Sequence, residues 1–386
     1  MCRDPPYDQM RNVQVALSDI VGGQKTAGRR LGMILEIMTF LFFQSQGLAS
    51  SMRKGNQLPS FAIDATHETD FSFHPILQST TQIFTNHQQQ VGVSRKPVPS
   101  SKFPLSEQLS LLDPDSSIPT MKDKIIQNGT VNPLAVIAVP EGDRKDSGNL
   151  SGQKICSSIT FLSSETGTRC DVSINRLANS AYAKVECKRV GIELTANSAP
   201  QTIEKAKQGA YAADHASSFQ SIYTRGGEKL GVMLGDRIRV GPYDDLRNQI
   251  INGEIPDMLE GYCSTLFVFS EPSNWQTSDG VWKKDLEVLR ASFDWVMYLE
   301  DEAFIHFCER FHLADSEGGD NCVRNWIHDN AKLSQIPWNT YNELMEYVQE
   351  NPPAEWFTVH TPEEGNTTIL IEEMMALLRA TSPSID

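Results

Sequence analysis

No C-x-x-C pair occurs in the chain, and its seven cysteines, at positions 2, 156, 170, 187, 263, 308 and 322, are an odd number. Neither fact suits a disulfide scaffold, so the expected setting is a reducing cytoplasm with mostly buried thiols. Long apolar runs are missing as well. The strongest, LGMILEIMTFLFF at 31–43, is too short for a membrane span and carries Glu36. The start, MCRDPPYDQ, holds acids and prolines where a secretory leader needs a basic start and an apolar run. No membrane partner is expected. Positive charge is scarce too: 34 Lys and Arg stand against 49 Asp and Glu, a formal net charge of −15. That balance excludes a generally basic nucleic-acid coat, but it leaves open where the cations collect.

Several catalytic signatures are equally lacking. VGGQKT at 21–26 does not have the G-x-x-x-x-G-K-[ST] spacing of a phosphate-binding loop. There is no H-E-x-x-H, and His306 and His312 stand six apart, a spacing that does not turn two ligands to one metal on a helix. No G-x-S-x-G elbow marks a serine nucleophile. Asn-x-Ser/Thr sequons at Asn128, Asn149 and Asn366 carry no weight without a secretory route.

What is present reads as an α/β chain of 386 residues with ordinary hydrophobic content, enough for a sizeable core. GRRLGMILEIMTFLFFQ reads as a buried helix, with Gly32 and Glu36 on one face. From about 50 to 150 the texture turns to Ser, Thr, Gln and Pro, which predicts a loop-rich insertion. NPLAVIAVP, KICSSITFLSS, LGVMLGDRIRVG and YCSTLFVFS read as strands, and KKDLEVLRASFDWVMYLEDEAFIHFCERFHL as one or two helices. Pro200 with Ser198 before it opens a helix running to about Ser217. From about 240 to 386 the chain is an acidic, partly helical extension.

The most informative stretch is TRCDVSINRLANSAYAKVECKRV, 168–190. Side chains on a strand alternate, so Glu186 and Lys188 share a face while Val185 and Cys187 take the other. If CDVSI and AKVECKRV form a hairpin about Ala178 and Asn179, Asp171 falls opposite Glu186. Two carboxylates and an ammonium would then converge, a set of oxygens suited to Mg²⁺. Lys188 would orient or help deprotonate a water.

Asp171 followed by Glu186-Cys187-Lys188 at the end of an apolar strand resembles the PD-(D/E)XK nucleases, which include type II restriction endonucleases, some resolvases and repair nucleases. Cys170 departs from the pattern, standing where that family often has proline. The resemblance implies a restriction-endonuclease-like mixed β-sheet flanked by helices, here one domain over 1–386 with large insertions. It implies Asp171 and Glu186 as Mg²⁺ ligands, Lys188 as the catalytic lysine, and Glu36 on the N-terminal helix approaching the metal. Lys205, Gln208 and Tyr211 on the following helix, with Arg189, become candidates for DNA contact. The alternative for Glu36 is a structural ion pair with Arg29 or another basic group.

Residues 184–239 hold nine Lys or Arg against six acids, so the segment is locally basic. With Lys25, Arg29, Arg30, Arg53 and Lys54 it could form a phosphate-contacting groove. The expectation is a Mg²⁺-dependent restriction endonuclease acting on double-stranded DNA as a homodimer, since two-fold sites mirror two-fold proteins. Its rivals are a resolvase or repair nuclease of the same fold and a non-catalytic DNA-binding protein.

Overall fold

The computed structural model describes residues 5–21, 24–57, 68–84, 91–92, 124–127, 129–134, 136–137, 155–160, 170–177, 181–189, 219–226, 228–233, 239–252, 254, 264–270, 293–315, 319–329, 331–359 and 367–381. Two helices open the chain, α1 (Pro5–Val21) and α2 (Gln24–Ser45). As its sequence predicts, α2 is buried on almost every side: Ile34, Leu35, Ile37, Met38, Phe40, Leu41, Phe42 and Phe43 are all within the core. It stops where Gly47 adopts a φ of +75°. There Leu48 N–H donates to Phe43 O and Gly47 N–H to Gln44 O, both at 3.0 Å, which satisfies the last carbonyls of the helix.

The helix lies against a six-stranded mixed sheet in the order β1-β2-β10-β14-β15-β17. Its strands are β1 (Met52–Gln57), β2 (Glu68–Phe73), β10 (Ala183–Arg189), β14 (Ser264–Ser270), β15 (Trp295–Leu299) and β17 (Phe357–Val359). β2 runs antiparallel to both β1 and β10, while β10, β14 and β15 are mutually parallel and β17 closes the edge antiparallel. Alternation decides the faces: Phe71, Phe73, Val185, Cys187, Leu266, Val268, Met297 and Leu299 join the core that contains α2. β14 is buried along its whole length, the pattern of a central parallel strand covered on both sides.

Three smaller sheets complete the described chain. One has the order β3 (Ile76–Phe84), β9 (Cys170–Leu177), β8 (Ile155–Thr160), β7 (Val136–Ile137). A meander joins β11 (Phe219–Tyr223), β12 (Lys229–Met233) and β13 (Arg239–Pro242). The last joins β16 (Ile336–Pro337), β6 (Thr130–Val131), β5 (Lys124–Gln127) and β4 (Val91–Gly92). Further helices span Tyr243–Ile251, Asp301–Arg310, Cys322–His328, Trp338–Glu350 and Thr367–Thr381.

The α/β class and the mixed sheet flanked by helices match the sequence expectation, and the strand assignments differ in three places. WVMYL, read as helical, is β15: a five-residue apolar run buried on both faces has no period to separate strand from helix. β1 and β2 come from the stretch expected as an insertion, and β14, β15 and β17 from the expected extension, so both build the main sheet. The expected β9–β10 hairpin does not form. β9 pairs with β3 and β8, and Asp171 stands opposite Ile83 and Thr160 rather than Glu186. The place beside β10 goes to β2, whose Phe71 and Phe73 fill the face turned to α2.

Candidate active site

β2 and β10 pair from Ala183 opposite Phe73 to Val185 opposite Phe71. The ladder ends there, one residue short of Asp70 on β2 and Glu186 on β10. The backbone ladder gives way at this point: Cys187 N–H donates to Asp70 Oδ2 at 2.7 Å, a side-chain carboxylate standing where a strand carbonyl would be. A charge-assisted bond of this length fixes the carboxylate against the β10 backbone, at the residue after Glu186, which is itself half-buried. The acid hydrogen-bonded to β10 is thus Asp70, where the sequence reading expected Asp171.

Glu36 lies on α2, the helix packed on the Cys187 side of β10. Lys54 of β1 donates to its Oε2 at 2.7 Å, so the basic partner of Glu36 is Lys54, not Arg29. Cys187 lies among all three acids. Burial first, then the charges of Asp70, Glu36 and Glu186, push its thiol well above the ordinary range, so it remains a thiol.

Arg53, Ser72, Lys184 and Thr265 occupy one register line across four strands, and Arg53 and Lys184 are both buried. Ser72 also shares a hydrogen bond with His74 Nε2 at 2.9 Å.

No protein-family model, curated protein or solved structure matches the chain. The chemistry of the site rests on its own geometry. Among the described residues no three His, Cys, Asp or Glu side chains form a group able to hold a metal ion. A pair of carboxylates still fits Mg²⁺, which keeps several waters and is usually held by one or two carboxylates plus substrate phosphates.

The remaining sequence candidates are distributed as follows. Lys188 and Arg189 end β10, with backbone partners Phe269 and Ser270 on β14; their side chains, and that of Asp171, lie outside the described residues. Lys205, Gln208 and Tyr211 also lie outside them. Of the cations expected to line a phosphate groove, Arg30 and Arg53 are buried, and Arg30 donates to His328 O at 2.7 Å. Arg29 is exposed and Lys54 half-buried. His306 and His312 are both exposed, and His306 is hydrogen-bonded to Tyr347 at 3.1 Å. Among the described residues no helix is long and apolar enough to cross a membrane.

A separate buried charge cluster gathers near the start of β15. Asp294 Oδ2 accepts from Thr265 N–H at 2.8 Å and from Thr265 Oγ1 at 3.1 Å. Burial raises the Asp294 pKa to about 6 against the pull of Lys229. Arg247 pairs with Glu373 and lies over the Trp295 ring, while Lys229 sits 3.7 Å from the centroid of Tyr243. These groups tie the 243–251 and 367–381 helices to the sheet.

Proposed function

We propose that the chain is a Mg²⁺-dependent endonuclease of restriction type that hydrolyses phosphodiester bonds in double-stranded DNA, with Asp70 taking the role first assigned to Asp171. The observation that carries this reading is the Asp70 carboxylate held by Cys187 N–H on the strand next to the Glu186-x-Lys188 strand. Asp70 and Glu186 would hold the cation, and Glu36 would support it from α2. Bound there, Mg²⁺ supplies Lewis-acid polarisation of the scissile phosphate. Lys188 orients the attacking water and offsets charge developing on the phosphate. Double-stranded DNA is the partner in this reading, and a palindromic site calls for a homodimer.

Digestion of a mapped plasmid with Mg²⁺ tests it. Discrete fragments support the restriction reading, and Glu186→Ala and Lys188→Ala then retain DNA binding while losing cleavage. Cutting confined to branched substrates would move the assignment to a resolvase. A wild-type protein that binds DNA and never cuts it would make the chain a non-catalytic binder.

A further inference from the structure

The 367–381 helix turns a charged residue inward. Among its described side chains Leu370, Glu373 and Met374 are buried, a stripe at helical spacing, while Glu372 and Arg379 are exposed. Glu373 meets Arg247 of the 243–251 helix in an ion pair whose two side chains are both buried. A second buried carboxylate, Asp294 just before β15, also acts on Glu373. Lys229 of β12 faces Asp294, and Asp244 of the 243–251 helix faces Lys229. β17, with Phe357, Thr358 and Val359, adds no charge. Two carboxylates in one buried cluster do not both ionise cheaply. Burial accordingly raises the Glu373 pKa to about 8 against the pull of Arg247, and Asp294 adds to the rise. The helix packs on the 243–251 helix and on β17, the edge strand of the six-stranded sheet. It can leave without parting any strand pair, which suits the opening of one element short of global unfolding.

We propose that Glu373 is a proton-operated latch: protonated, it holds the 367–381 helix against the 243–251 helix and β17, and ionised it lets that helix undock as a unit while the rest of the core stays folded. The nuclease reading plays no part in this inference. The docked helix binds the proton more tightly than the undocked one. Docking is therefore strongest below the ordinary glutamate value of 4.5 and weakens until the pH reaches about 8. Across that interval the opening constant rises about tenfold per pH unit.

Hydrogen exchange read by mass spectrometry on the full chain, each rate divided by the intrinsic rate at its pH, measures the opening. The 367–381 amides are expected to be less protected than those of α2 throughout. In the wild type their protection should fall about tenfold per pH unit between about pH 5 and 8. Glu373→Gln and Glu373→Leu, each checked for folding by circular dichroism, should flatten that fall. A wild-type profile that does not change with pH overturns the latch, as does an equal fall in the folded variants. Protection of 367–381 equal to that of α2 also overturns it, because the helix would then open only with the whole molecule.

Discussion

Two aspartates separate the site found in the fold from the one read in the sequence. Asp70 accepts from Cys187 N–H beside Glu186, whereas Asp171 belongs to β9 in another sheet. Asp70→Asn is expected to lower Mg²⁺-dependent cleavage at least about a hundredfold, and Asp171→Asn to leave it near wild type. Plasmid nicking under single-turnover conditions measures both. A second residue-scale expectation concerns Asp301, buried in the first turn of its helix beside Glu300 and Glu302. Glu300 already accepts from Tyr298 at 2.6 Å and from the Thr358 hydroxyl. Burial first, then Glu302 and Glu300, raise the Asp301 pKa from 3.8 to about 7. The folded state therefore binds this proton more tightly than the unfolded one. Its contribution to stability is complete below about pH 4 and is lost as pH rises towards 7. Melting temperatures of the wild type should carry a fall over that interval which Asp301→Asn removes. An identical slope in both proteins would refute the assignment.

At the scale of elements, the pair of Arg247 and Glu373 joins the 243–251 helix to the 367–381 helix. Both side chains are buried, and burial raises the Glu373 pKa to about 8 despite the arginine. Removing Arg247 leaves the buried Glu373 carboxyl, protonated at neutral pH, without its hydrogen-bond partner, so Arg247→Met should destabilise by about 1–3 kcal/mol. The double change Arg247→Met with Glu373→Leu should recover most of that loss, since apolar groups of similar volume replace a buried pair well. Chemical denaturation of the three proteins decides it. Which elements could be read in advance follows from how local their determinants are. α2 was legible because its apolar side chains and its stop at Gly47 are coded within one stretch. β14 was legible as a bounded apolar run. The partner of β10 was not, because the Asp70 to Cys187 bond spans 117 residues and the nearer strand, β9, offers an equally plausible register. The alternation Phe71-Ser72-Phe73, with Asp70 in front of it, was the one local sign of β2, hidden within a polar stretch. The strand carrying Glu186 and Lys188 was legible, because alternation needs no knowledge of the partner.

For the whole molecule the question is how a chain of charge −15 would approach a polyanion. Two of the cations expected along a phosphate groove, Arg30 and Arg53, are buried; of that expected set the exposed cations among the described residues are Arg29, Arg225 and Arg239. A small set of cations on an otherwise acidic body binds through counterion release with little support from long-range attraction. Two such bodies must also overcome their mutual repulsion to meet on one palindrome. If the chain is the proposed restriction enzyme, both conditions would favour association on DNA through a shared two-fold site, where each protomer would contribute its own phosphate contacts. Light scattering coupled to gel filtration should then show a protein component of twice the 43.1 kDa chain mass on a cognate duplex with Ca²⁺. The logarithm of affinity should fall against that of salt with a slope steeper than about −4. A single chain per duplex together with a slope near zero would be incompatible with a dimeric restriction enzyme.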